Sequence, residues 1–354
     1  MSLVNAIMSR TITLIPGDGI GPEVAEAMVK VVDASGARIV WERVDAGVVA
    51  LEKFGDPLPL AVIDSICRNK VAIKGPTGTP IGEGFNSVNV QLRKVFDLCL
   101  NLRPVRSLKG VKCLHDNIDL IVCRENIEEL YSGEEHYTND THDEAFVIGR
   151  ITRLGSERFF KLVFHYVEQM HRRKVSVFHK ANILKLTNGL FLKVAKEFSV
   201  QYPHIVFEDR LVDSGSMQVV MNPSNFDVIA TTNLFGDIDS DVFAGLAGGL
   251  GVAPGANIGN EYSIFEAVHG TAPDIAGQNK ANPTALILSA CMMLEHIGEN
   301  KAARRIRVAV ECVIAEGKNV TKDLNPSGVG TVEMANAIIE RMDELADLEA
   351  EMCY

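Results

Sequence analysis

The chain has 354 residues, 47% apolar and 23% charged, with a net charge of −11 and no basic block. That fits about two soluble α/β domains around a large core. The acidic balance argues against nucleic acid as a partner, no apolar run reaches membrane length, and the first ten residues lack a signal-peptide core.

In chain order, an apolar run at 11–15 predicts a first strand, and a helix follows at 22–33, closed by Gly36. Pro22 suits the first helical position, where its missing N–H is harmless. Strands follow at 39–44, 71–73, 120–123, 175–178 and 228–230. Helices are expected at 156–171, 187–198, 283–296 (closed by Gly298), 302–316 (closed by Gly317) and 332–348. The helix from Pro283 is apolar on nearly every face, so it should be buried, with a subunit interface as one place for it. Alternation of short apolar runs with helical patterns signals α/β architecture. Seven cysteines, at 67, 99, 113, 123, 291, 312 and 353, show no CxxC spacing and read as reduced thiols in a cytosol-like compartment.

The glycines of Gly17-Asp18-Gly19-Ile20-Gly21 are spaced G-x-G-x-G and run straight into Pro22, unlike the usual dinucleotide fingerprint. Further on, the 228–230 strand feeds Asn233-Leu234-Phe235-Gly236-Asp237-Ile238-Asp239-Ser240-Asp241. Asp237 and Asp241 stand one helical turn apart, so they share a face and can share one hard divalent cation. Polar clusters lie just past the C-terminal ends of several strands: 75–84, Arg124, Lys180 and 233–241. In an open α/β sheet that edge is where ligands bind.

These segments have company. Leu14-Ile15-Pro16-Gly17-Asp18-Gly19-Ile20-Gly21-Pro22-Glu23-Val24, Leu102-Arg103-Pro104-Val105, Arg124-Glu125-Asn126, Tyr131-Ser132-Gly133, His179-Lys180-Ala181-Asn182, the 233–241 run and His269-Gly270-Thr271-Ala272-Pro273-Asp274 occur together. Over residues 12–342 the chain resembles the β-decarboxylating dehydrogenases, which act on isocitrate, 3-isopropylmalate, homoisocitrate or tartrate. The resemblance implies a two-domain α/β fold of isocitrate/isopropylmalate dehydrogenase type, not a Rossmann fold. Residues 1–102 and 251–354 would form one discontinuous domain, and 103–250 a second that supplies much of a dimer contact.

Arginine forks match carboxylates in two-point contacts, so Arg93, Arg103 and Arg124 suit a polycarboxylate. The resemblance gives them the malate-like carboxylates. Ser87 and Asn89 offer hydrogen-bond donors where an isopropyl group would need apolar side chains, which favours a γ-carboxylate and hence isocitrate. Homoisocitrate stays close, since one methylene is worth only about 1–3 kcal/mol. The resemblance assigns the base to Lys180, assisted by Asp213 and reaching the partner subunit's site in a homodimer, and the acid to Tyr131. It sets Asp237, Asp241 and the partner's Asp213 around Mg²⁺ or Mn²⁺. It gives the cofactor Thr79, Asn182, His269, Gly270, Thr271, Ala272, Asp274, Ile275 and Asn282. A carboxylate at Asp274 can accept from ribose hydroxyls but repels a 2′-phosphate, so NAD is expected over NADP. A non-catalytic regulatory subunit of a hetero-oligomer is the reading from another class, and the presence of all five catalytic and metal positions weighs against it. The expected setting is the cytoplasm, or the mitochondrial matrix in a eukaryote, although no transit peptide is seen.

Overall fold

The computed structural model describes residues 9–79 and 85–352. The second half of the 75–84 loop and Cys353 lie outside the described residues. The strands are β1 (Arg10–Ile15), β2 (Ile39–Arg43), β3 (Val71–Lys74), β4 (Leu100–Arg106), β5 (Asp119–Glu125), β6 (Glu135–Tyr137), β7 (Ala145–Val147), β8 (Lys174–His179), β9 (Val206–Leu211), β10 (Val228–Thr231), β11 (Pro254–Ile258) and β12 (Ser263–Ala267). The helices are α1 (Gly21–Ala34), α2 (Val48–Phe54), α3 (Leu60–Asn69), α4 (Val88–Val95), α5 (Arg153–Gln169), α6 (Thr187–Ser199), α7 (Val212–Met221), α8 (Asn233–Leu246), α9 (Thr284–His296), α10 (Asn300–Glu316) and α11 (Thr331–Met352). All six expected strands and all six expected helices are present.

Ten strands form one sheet in the order β2-β1-β3-β12-β11-β4-β5-β10-β8-β9, and β6 pairs β7 as a separate hairpin. β2, β1, β3 and β12 run parallel, as do β5, β10, β8 and β9. β11 is antiparallel to both β12 and β4, and β4 is antiparallel to β5. The two parallel blocks therefore point in opposite directions. This corrects the expectation of one ligand-binding edge, because the C-terminal ends of β3 and of β5, β8 and β10 fall on opposite edges. β4 bridges the 102/103 position, and the sheet is continuous through it.

Helices cover both faces. β3 and β10 are buried throughout and read as apolar runs closed by one polar residue, Lys74 or Thr231, as strands covered on both faces do. α9 is buried from Thr284 to Leu294 and packs on β11, β12, α1 and α10 of its own chain. That corrects the placement in a subunit interface: the single chain already encloses it. Burying each such Leu or Ile is worth about 1.5–3 kcal/mol. The opposite face carries a smaller core of Ile15, Ala72, Leu92, Phe96, Leu98 and Ile264 under α4.

Candidate active site

A cleft of about 240 Å³ opens on the α4 face of the sheet, above the strands where the two blocks meet. Ser87 and Asn89 reach it from the start of α4 and Arg93 from its last turn, Arg103 from β4, Arg124 from β5, Tyr131 from the turn beyond it and Asp237 from α8. Ser87 is the residue preceding α4, yet its side chain caps no helical N–H, which leaves its hydroxyl free for the cleft. Asn89 accepts from Thr77 at 3.1 Å.

The three arginines are all buried. Arg103 donates to Asp241 (2.9 Å), Ser240 (2.7 Å) and Asp237 (3.2 Å), and its Nε donates to Asn101 (2.8 Å). Arg124 places Nε and Nη2 on Asn233 (3.0 and 2.8 Å), and its Nη1 pairs with Asp237. Gly236 is required here, since a Cβ would stand 2.6 Å from the Arg124 side chain. Arg93 pairs with Glu266 at 3.6 Å, and its Nε finds no hydrogen-bond partner among the described residues. A buried guanidinium with a free N–H is poised for an incoming carboxylate.

Tyr131 donates to Asp237, and the Arg124 guanidinium lies over its ring, 4.9 Å from the centroid. Burial and the Asp237 hydrogen bond raise the Tyr131 pKa, so the phenol keeps its proton. Burial also pushes the Asp237 carboxyl up, but Arg124 and Arg103 outweigh it and hold the group below its ordinary value. Asp241 goes the other way: burial raises it, and Arg103 only partly opposes. His269 lines the cleft and is held neutral by burial, with Nδ1 against the Gly270 carbonyl at 3.0 Å.

Lys180 and Asp213 find each other, Nζ to Oδ2 at 2.6 Å, but they do not line this cleft. They stand past the ends of β8 and β9, where the second parallel block terminates. Asn182 is exposed in the turn beside Lys180. Among the described residues no three His, Cys, Asp or Glu side chains gather to hold a metal within one chain. Asp237 and Asp241 do lie on one face of α8, held by the same Arg103, and their carboxylates remain partly exposed. Two hard oxygen donors with open sites fit part of a divalent-cation shell, and further oxygen ligands would be needed to complete it.

Gly270 also lines the cleft, and the chain then continues through Thr271, Ala272 and a 3-10 turn at Pro273–Ile275. Ala272 holds a left-handed φ of 37°. Asp274 is exposed on this turn, and Ile275 packs against the core. Glu23 of α1 anchors the loop's far side by accepting from the N–H groups of Asn279 (3.1 Å) and Ala281 (3.0 Å). Asn282 is buried, donating to Asp323 at 2.9 Å and accepting from Thr284 at 3.0 Å, so its side chain is engaged inside the chain. Thr79 is exposed and does not line the cleft. The glycine-rich turn at 17–21 is braced against this loop: Ile20 N–H donates to Thr271 O (2.9 Å) and Asp18 N–H to Pro76 O (2.7 Å). A Cβ on Gly19 would sit 2.1 Å from Thr271 O, so that glycine serves a close backbone approach.

Four further polar residues of the site escape sequence reasoning: Lys74, Asn101 and Glu266, which line the cleft, and Asn257 behind them. Lys74 offered the signal used for Lys180, a lysine closing an apolar strand. Nothing local marks the other three.

The family model of isocitrate/isopropylmalate dehydrogenase matches residues 11–338. The chain belongs to the isocitrate/isopropylmalate dehydrogenase family. It is 46% identical, over 94% of its length and 88% of the relative's, to an Arabidopsis thaliana protein named as a mitochondrial NAD isocitrate dehydrogenase catalytic subunit. It is also 46% identical to a Dictyostelium discoideum protein named as a mitochondrial NAD isocitrate dehydrogenase regulatory subunit, over 94% of this chain and 92% of that one. The solved isocitrate dehydrogenase of Methylococcus capsulatus superposes with a TM-score of 0.92 at 52% identity, covering 94% of this chain and 99% of its own. The mixed sheet and the cleft over its antiparallel centre are thus a family architecture.

Proposed function

We propose that this chain is an NAD-dependent isocitrate dehydrogenase, converting isocitrate to 2-oxoglutarate and CO₂. The observation that carries the reading is the cleft itself: three buried arginines, one with a free Nε, beside the polar pair Ser87 and Asn89. That set suits a substrate with several carboxylates, and the donors of Ser87 and Asn89 suit a polar group rather than an isopropyl group.

Arg103 and Arg124 are already oriented by Asp237, Asp241 and Asn233, so substrate carboxylates meet preset donors. Tyr131, kept protonated, is placed to deliver a proton to C3 after CO₂ leaves. Lys180, with Asp213 beside it, takes up the C2 hydroxyl proton. The 269–282 loop, with Asp274 for the ribose, would hold NAD, which would supply the acceptor for the C2 hydride. Mg²⁺ or Mn²⁺, when held by Asp237, Asp241 and Asp213 of the partner subunit, supplies Lewis-acid stabilisation of the developing negative charge.

Because Lys180 and Asp213 stand apart from the cleft of their own chain, the site is completed by a second copy. Exposed Met217 and Met221 on α7, Ile238 and Val242 on α8, and Ile183 and Leu186 in the loop before α6 supply an apolar surface for that contact. In this dimer, 1–102 with 251–354 and 103–250 act as two domains on either side of the cleft. The six described cysteines are free thiols, which supports a reducing compartment, cytoplasm or mitochondrial matrix.

The test is a substrate panel of isocitrate, homoisocitrate, 3-isopropylmalate and tartrate, each with NAD⁺ and NADP⁺, on the purified chain alone. Isocitrate with NAD⁺ should give the highest kcat/KM. The Dictyostelium relative's name favours a second reading, a regulatory subunit, and absence of turnover with every pair would support it.

A further inference from the structure

Across the centre of the sheet the polar side chains on the cleft face form one connected chain. Lys74 and Glu266 are register partners on β3 and β12. Asn257 and Asn101 are partners on β11 and β4, and Asn101 and Arg124 on β4 and β5. Gly255 stands opposite Glu266 and carries no side chain, so the carboxylate is met diagonally by Asn257. The bonds run Lys74 Nζ to Glu266 (2.7 Å), Asn257 Nδ2 to Glu266 Oε1 (2.7 Å), Asn101 Nδ2 to Asn257 Oδ1 (2.9 Å) and Arg103 Nε to Asn101 Oδ1 (2.8 Å). Asn126 of the Arg124-Glu125-Asn126 segment donates to the same Asn257 oxygen at 2.9 Å. All these side chains are buried. Glu266 also pairs with Arg93 at 3.6 Å.

Arg93 and Arg103 thus reach the cleft from opposite sides, one from α4 and one from β4, yet are referenced to the same amide. In a dry interior such a chain has little slack, since any unmade bond leaves a buried polar group unsatisfied. We propose that Asn257 is a positioning residue that fixes the spacing of Arg93 and Arg103 through Glu266 and Asn101, so that two carboxylates of one substrate are bound as a pair. It touches neither substrate nor cofactor and acts only through these neighbours. The proposal deepens the reading of the cleft as a polycarboxylate site and rests on it.

Asn257→Leu keeps the branched shape of the side chain and removes its links to Glu266, Asn101 and Asn126. On whichever acid of the panel the wild type oxidises, its KM should rise about 10- to 100-fold, the scale of losing a hydrogen bond to a charged group. KM for the nicotinamide cofactor should stay within about twofold, because the 269–282 loop is outside the chain. Asn101→Leu should do the same, and the double variant should be no worse than the poorer single by more than about twofold, since both cut one chain. Multiplied effects in the double variant would overturn the proposal, as would a lowered melting temperature with unchanged KM. If Asn257→Leu does not fold, Asn257→Asp keeps the acceptor for Asn101 and Asn126 and sets an oxygen against Glu266. It must then raise the substrate KM selectively, and an unchanged KM would overturn the proposal. Failure of the wild type to oxidise any acid of the panel would instead remove the reading of the cleft.

Discussion

Replacing Glu266 by Gln should cost about 3 kcal/mol of stability at neutral pH. Glu266 is fully buried, 2.7 Å from Lys74 and 3.6 Å from Arg93. Burial alone would raise its pKa, but the two cations and the Asn257 amide outweigh it and hold the carboxyl at about 2 against an ordinary 4.5. That difference corresponds to about 3 kcal/mol. A second route agrees: removing one partner of a buried ion pair typically costs about 3–5 kcal/mol, because the other charge is left behind. Here Lys74, itself buried, would keep only neutral acceptors among the described residues, the Gly75 carbonyl at 3.0 Å and the new amide oxygen, in place of an anion. Since the folded pKa is depressed, the contribution is complete above about 4.5 and fades as pH falls toward 2. Urea unfolding of both proteins at equal chain concentration, at pH 7 and in steps from pH 4.5 to 3, measures it. The variant's midpoint should fall at pH 7 with an unchanged slope, and the gap should narrow in acid. A loss under about 1 kcal/mol, or a gap that ignores pH, would refute the claim that this carboxylate is held by its cations.

Asp237→Asn and Asp241→Asn should each weaken Mn²⁺ binding at least about tenfold in the presence of isocitrate, because each removes an anionic oxygen; unchanged calorimetric affinity would rule out the α8 carboxylates as ligands. Mixing inactive Lys180→Met and Arg124→Ala proteins should restore activity, since a mixed dimer carries one site with both residues intact; no recovery after verified subunit exchange, with a dimer structure placing Lys180 away from the partner's cleft, would end the shared-site reading. Asp274→Lys with Ile275→Tyr should lower the NAD⁺/NADP⁺ ratio of kcat/KM by reversing the charge facing the ribose; a ratio left where it was would remove Asp274 as the discriminator.

The elements that were legible in the sequence and those that were not divide along a physical line. Strands such as β3 and β10 are buried on both faces and show as plain apolar runs at 71–73 and 228–230. The four sheet strands that went unread are β4, β9, β11 and β12. β9 is a charged edge strand, Val206-Phe207-Glu208-Asp209-Arg210-Leu211. β4 contains Pro104, which argues against a central strand; here β11 pairs β4 only up to Leu102, so no neighbour on that side misses the proline's N–H. β11 opens Pro254-Gly255-Ala256 and resembles a loop, and β12 carries a buried glutamate. β4, β11 and β12 are also the strands at whose seams the sheet changes direction, and they floor the cleft. Polar side chains placed for a ligand erase the hydrophobic pattern that announces a strand.

The same line separates the site residues. Arg93, Arg103, Arg124, Tyr131 and Asp237 sit in extended motifs, so they could be named one by one. Lys74, Asn101, Asn257 and Glu266 acquire meaning only from register, because the bonds joining them run from 9 positions of sequence (Asn257 to Glu266) to 192 (Lys74 to Glu266). Register also explains how a chain of net charge −11 can build an anion site. Among the described residues Lys74, Arg93, Arg103 and Arg124 converge on the cleft, while Glu266 and Asp237 are the acids that line it with them. Four cations against two anions in a partly desolvated site leave a local positive field that the surface acids do not cancel. A substrate bringing several carboxylates completes the balance, and one lacking them would leave buried guanidinium groups unpaired. Selection by the cleft is therefore as much a penalty on the wrong ligand as an attraction for the right one.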